Sequence, residues 1–187
     1  MSQNYSSAAT SINAARVPKV YGKIRQDLAP RSLLFDYGCG KYTDHIRAAL
    51  PGVVYLPFDP FNQPDDVNAA SLTYLANAMH MRFPVTIVCS NVLNVIDSDD
   101  EVDAIASRIK HWILHTGGTA YITVYDGDRS GVGRKTGPDQ WQRNEPLQAY
   151  LPLFDCQLAM LHYGKKYRTT AAIERGMIVV RCEEVKK

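Results

Sequence analysis

The chain has 187 residues, 45% of them hydrophobic and 21% charged, with a formal net charge of +2. That length and balance fit one ordinary soluble globular domain with a single sizeable core, and they exclude a strongly basic protein that coats nucleic acid. The four cysteines, Cys39, Cys89, Cys156 and Cys182, lie far apart without a CxxC pair, which predicts free thiols in a reducing compartment rather than a zinc site or a disulfide framework. No apolar run approaches the roughly 20 residues that span a membrane, and "MSQNYSSAATS" lacks the apolar centre of a signal peptide, so a cytoplasmic location is expected.

Residues 1–13 are polar and rich in Ser, Ala and Asn, and read as a flexible tail; residues 14–187 read as one domain. In "ARVPKVYGKIRQDLAP", Val17, Val20 and Ile24 fall at helical spacing before Pro30. "SLLFDYGCG" is a short apolar run ended by glycines and predicts a buried strand, followed by a helix over "YTDHIRAALPG". "VVYLPFDP" predicts a second strand with Asp59 near its end, and "SLTYLANAMHMRF" a helix, with no confident strand before it. "PVTIVCSNVLNVI" holds a strand at Val85 to Cys89, and "SDDEVDAIASRIKHWIL" is an amphipathic helix with acids in its first turn, as the helix dipole favours.

"GTAYITVY" predicts another strand, and Asp126 to Asn144 a polar, glycine-bearing loop. "PLQAYLPLF" reads as a short helix, "CQLAMLHYG" as a strand and "GMIVVRCEE" as the last strand. Alternating strands and helices predict an α/β fold: a doubly wound, mostly parallel sheet with helices on both faces. Only "KKYRTTAAIER" joins the last two strands, too short for a helical crossover, so the last strand is expected to pair antiparallel.

In such sheets ligands bind at the C-terminal strand ends, where strand order reverses. Gly38 and Gly40 follow the first strand, where glycine lets the backbone turn sharply and come close to a ligand. Asp59 ends the second strand some 20 residues later, where an acid can accept from ribose hydroxyls. Thr43 stands where the dinucleotide fingerprint GxGxxG needs its third glycine, which weighs against NAD or FAD. Asp36 would repel a pyrophosphate but could face a ligand ammonium group; as an alternative it caps a turn. S-adenosylmethionine carries an ammonium, a sulfonium and ribose hydroxyls, and no phosphate.

"FDYGCGKYTDHI" resembles motif I of the class I S-adenosylmethionine-dependent methyltransferases, "VVYLPFDPF" resembles their second motif, and "VCSNVLNVID" the motif at their fourth strand. The combination of DYGCG, a strand ending Asp-Pro-Phe, and NVLNVI resembles a methyltransferase-like group found in phage genomes and beside bacterial DNA-modification genes. The resemblance runs from Arg16 to Tyr167 and implies a Rossmann-like methyltransferase fold with S-adenosylmethionine as cofactor. By that resemblance, Asp36, Gly38 and Gly40 border the methionine part of the cofactor, Asp59 holds the ribose hydroxyls, and Pro60 and Phe61 shape the adenine side. Ser90, Asn91 and Leu93 would lie beside the cofactor and face the substrate. The chain departs from the pattern at Lys41 and Tyr42, where small residues are commonest, and in lacking an evident third strand with its adenine-contacting acid.

The methyl acceptor is not encoded in a recognisable motif. "SNVLN" replaces the Asn/Asp-Pro-Pro-aromatic motif of amino-group DNA methyltransferases, and Cys89 follows Val88 rather than the proline of a cytosine-C5 nucleophile. No general base stands out. The substrate-facing candidates lie in the loop after the fifth strand: Arg129, Arg134, Lys135, Trp141 and Arg143, interspersed with Asp126, Asp128 and Asp139. Nucleic acids and nucleotides are the first acceptors to test. The histidines lack metal-ligand spacing and no metal is expected. Two alternatives remain: a catalytically silent binding protein on the same fold, and an NAD-dependent oxidoreductase.

Overall fold

Leu33–Tyr37 is apolar but for Asp36, with four buried residues, and it lies within the parallel half of a seven-stranded sheet as β1. In the computed structural model the described residues are 17–41, 43–137, 140–155, 158–161 and 165–186. The tail at residues 1–13, Arg16, Tyr42, Asp139, Cys156 and the end of "CQLAMLHYG" lie outside them. The other strands are β2 (Val54–Phe58), β3 (Val85–Ser90), β4 (Thr119–Thr123), β5 (Arg134–Gly137), β6 (Gln140–Gln142), β7 (Leu158–Leu161), β8 (Lys165–Glu174) and β9 (Met177–Glu184). The helices are α1 (Lys19–Ile24), α2 (Thr43–Ala49), α3 (Asp65–Met81), α4 (Asp99–Thr116) and α5 (Leu147–Tyr150).

The sheet order is β2-β1-β3-β4-β9-β8-β7. The first four strands pair in parallel, while β9, β8 and β7 are added antiparallel. Strand β8 therefore runs with the parallel four, so five of the seven strands point one way and β9 and β7 the other. One core covers the first face, where Leu75 and Ala78 of α3 and Val102, Ile105, Ile109 and Ile113 of α4 meet Phe35, Ile87 and Ile122. A second core covers the opposite face, where Val20, Tyr21 and Ile24 of α1 and Ile46 of α2 meet Leu34, Val88 and Val179. Helices thus shield both faces, as the buried, near-continuous apolar runs of β1 and β3 require. No helix among the described residues is long and apolar enough to cross a membrane.

Two elements differ from the sequence expectation. "KKYRTTAAIE" is a strand rather than a connection: β8 pairs with β9 along its length, through a turn in which Arg175 (φ 53°) and Gly176 (φ 70°) are both left-handed. Two positive-φ residues make the turn whose twist matches a hairpin. The last strand is antiparallel as expected, but a hairpin makes it so. The second correction is the loop after β4, which contains the two-stranded β5–β6 hairpin.

Pro57 suits β2 to its place at the edge of the sheet. The amide of Val54 and the carbonyl of Phe58 bond inward to Ser32 and Gly38 of the β1 segment, so Pro57, one residue out of phase, turns its donor-less nitrogen outward. A strand with proline there is an edge strand. Its outward carbonyl is taken by Ser71 Oγ of α3 at 2.7 Å, and the chain passes directly from β2 through α3 to β3.

Candidate functional site: the glycine turn

From β1 the chain passes to β2 on one side and then returns to β3 on the other, so strand order reverses at β1. The C-terminal ends of β1 and β3 are therefore where a doubly wound sheet opens a crevice. Gly38 and Gly40, with φ of 75° and 70°, carry the backbone out of β1 there. A Cβ on Gly38 would stand 2.3 Å from Val92 Cγ2, so the turn is glycine both for its φ and because the segment after β3 presses directly against it.

The turn is clasped from the end of β2. The Gly40 amide donates to Asp59 Oδ2 at 2.9 Å, and Gln63 Nε2 donates to the Gly40 carbonyl. Asp59 Oδ1 accepts from the amides of Phe61 and Asn62, both at 3.0 Å, and from Asn62 Nδ2 at 3.1 Å. Asn68, in the first turn of α3, brackets the Asp59 backbone: its Oδ1 accepts from the Asp59 amide at 2.9 Å and its Nδ2 donates to the Asp59 carbonyl at 3.0 Å. The Asp59 carboxylate, buried to all but 6%, is thus held by the chain's own donors. Pro60 and Phe61 beside it are exposed.

Asp36 has a different setting from that implied by its motif. Its carboxylate is buried on the α1 face, where Tyr21 (2.6 Å) and Tyr55 both donate to Oδ2. Burial pushes its pKa up from 3.8 to about 6, against the lowering effect of the two phenols, and the nearby Asp59 charge adds to the rise. The phenols of Tyr21 and Tyr55 are themselves raised, first by burial and then by the Asp36 charge. Burial likewise raises the thiols of Cys39 and Cys89, so neither is poised as a thiolate nucleophile.

At the end of β3, Ser90 Oγ lies 2.9 Å from Thr123 Oγ1, and the next residue, Asn91, adopts a left-handed φ of 57° with its amide on the Thr123 carbonyl at 2.8 Å. Asn91 is exposed, whereas Leu93 is fully buried in the core rather than lining the crevice. The substrate candidates are likewise divided. Arg129 and Arg134 are exposed and paired with Asp126 and Asp128, and Lys135 is exposed. Trp141 is half-buried, its ring against Gly133. Arg143 points inward, only 7% exposed, with its guanidinium on Asp99 at the start of α4. A buried, carboxylate-paired arginine anchors the hairpin and is not an open cation for a substrate.

Sequence reading missed Asn68, Gln63, Val92 and Tyr55, and it left Tyr21 on a helix that either closes over the cofactor or packs on the sheet; the structure packs it on the sheet. Only Asn68 left a local trace, as an amide side chain in the first turn of the helix that follows the acid. In comparisons with known proteins, no protein-family model and no curated protein matches this chain.

Proposed function

We propose that the chain binds S-adenosylmethionine on the Gly38–Gly40 turn and is a methyltransferase whose acceptor is not assigned. The observation that carries this reading is the clasp at the switch point: a glycine turn bonded through the Gly40 amide to the buried Asp59. The Asp59 carboxylate beside the turn disfavours a pyrophosphate and suits a ligand that lacks phosphate. An ionised carboxylate oxygen has two lone pairs. Among the described residues Asp59 Oδ2 accepts only from Gly40, so it has capacity for one ribose hydroxyl.

When bound, the cofactor would supply an activated methyl group on a good leaving group. The protein's share is then positioning and exclusion of water, which asks for no acid–base pair. Gly40 would let the backbone come close to the cofactor, Asp59 would orient the ribose, and Asn91, exposed after β3, would face the acceptor side.

A second reading, a silent binding protein of the same fold, is favoured by the inward bonding of Asp59 and by Val92 pressed against Gly38. Titration calorimetry with S-adenosylhomocysteine, with NADH as control, tests both. Micromolar binding of the former alone supports the cofactor site, and labelled methyl transfer to nucleic acid or lysate components then separates enzyme from binder. Binding of NADH alone would overturn both in favour of an oxidoreductase.

A further inference from the structure

We infer that Asn68 and Gln63 are positioning residues that act through Asp59 and Gly40, and that they set the turn to accept one ribose hydroxyl rather than two. The inference rests on the reading of the turn as an S-adenosylmethionine site. Asn68 is a polar residue only 8% exposed, and each end of its amide is used: Oδ1 on the Asp59 amide, Nδ2 on the carbonyls of Asp59 and Gln63. It therefore fixes the backbone on both sides of the Asp59 side chain. Gln63, whose carbonyl Asn68 holds at 3.2 Å, returns its own side chain to the Gly40 carbonyl. Asp59 takes the Gly40 amide on the other side of the same residue.

The result is a closed ring of bonds joining the turn after β1 to the turn after β2 and the start of α3. Its consequence is directional. Three donors from Phe61 and Asn62 occupy Oδ1, so that oxygen is turned into the chain. Oδ2 is the oxygen aimed at the glycine turn, and its remaining lone pair takes one hydroxyl. Loss of either amide would let the carboxylate rotate and blur that selection.

The test uses the full chain with S-adenosylhomocysteine and its 2′-deoxy and 3′-deoxy analogues, titrated against wild type, Asn68→Ala and Gln63→Met. Far-UV circular dichroism and melting report folding, and the half-buried Gln63 keeps the test open should Asn68→Ala not fold. In wild type, removal of one of the two hydroxyls should weaken binding about tenfold, as for a hydrogen bond to a charged group, and removal of the other should change it little. In the folded variants the parent ligand should bind about tenfold more weakly while the gap between the two analogues closes. A merely structural role would weaken all three ligands equally and leave the gap intact. That result, or unchanged affinity in both variants, overturns the inference and leaves the cofactor reading standing. Equal penalties for the two analogues in wild type also overturn it. Failure of wild type to bind S-adenosylhomocysteine at all overturns the cofactor reading and the inference with it.

Discussion

The phenol of Tyr21 donates to Asp36 Oδ2 over 2.6 Å, which bolts α1 onto the end of β1, and the Tyr55 phenol of β2 reaches the same oxygen. A carboxylate this deeply buried is costly when ionised, and its pKa of about 6 lies above the usual 3.8. A raised folded-state value means that the stability tied to the neutral form is complete below about pH 4 and is lost as pH rises through 6. Asp36→Asn removes that titration while keeping an acceptor for the phenols. The difference in unfolding free energy between variant and wild type should therefore shift in favour of the variant between pH 4 and 7. Its expected size is on the order of 3 kcal/mol, and urea titrations at several pH values measure it. His111, whose pKa is lowered first by burial and then by His115, contributes with the opposite sign but is common to both proteins. A pH-independent difference would show that Asp36 does not titrate in this window.

Gly38→Ala should destabilise the fold by about 2–4 kcal/mol, combining a left-handed φ with a Cβ pressed into Val92. Val92→Ala in the same chain should recover the steric share and leave the backbone share. A double-mutant cycle in urea separates the two. Additive effects would mean that Val92 moves aside without cost.

The β5–β6 hairpin should open before the seven-stranded sheet does. A two-stranded hairpin is marginal alone, and among the described residues this one leaves Trp141 Nε1 and Asn144 Oδ1, with Asn94 Oδ1 across the seam, buried without a hydrogen bond. Each such atom costs about 1–3 kcal/mol. The tether is the Arg143 amide on the Asn94 carbonyl at 2.9 Å and the Arg143 guanidinium on Asp99. Hydrogen exchange should show residues 126–145 exchanging as one unit ahead of β3 and β4, and Arg143→Ala should accelerate that unit selectively. Uniform acceleration across the sheet would place Arg143 in the global fold instead.

Pro57→Val should promote self-association. It gives the outward side of β2 an amide donor, while Val54 at the start of the same strand is already 41% exposed. Light scattering against protein concentration measures the effect, with the oligomeric state of wild type as baseline. No change at high concentration would indicate that α3 and Ser71 cover the edge sufficiently.

Where signals are local, the sequence alone determined the structure. Leu33–Tyr37, interrupted only by Asp36, and Val85–Ser90, with Thr86 and Ser90 as its polar residues, are near-continuous apolar runs that suit a sheet buried on both faces, and they form β1 and β3. The span of α4 was set by Ser98, whose Oγ accepts from the Glu101 amide, by the acids of its first turn and by left-handed Gly117 at its end. Gly38 and Gly40 announced a turn because few other residues tolerate those φ values. Tertiary structure decided what such signals do not carry. Lys165–Glu174 is polar and has no strong period, and becomes a strand because β9 pairs with it. Asp36 was placed correctly at the end of β1, but its partners are 15 and 19 residues away, and only the packing of α1 and β2 turns its carboxylate to two phenols. Arg143 looked like an open cation until a carboxylate 44 residues away drew it inward. The physical reason is common to all three: strand formation and side-chain direction depend on neighbours distant in sequence, whereas φ preference, capping and apolar runs are properties of the chain itself.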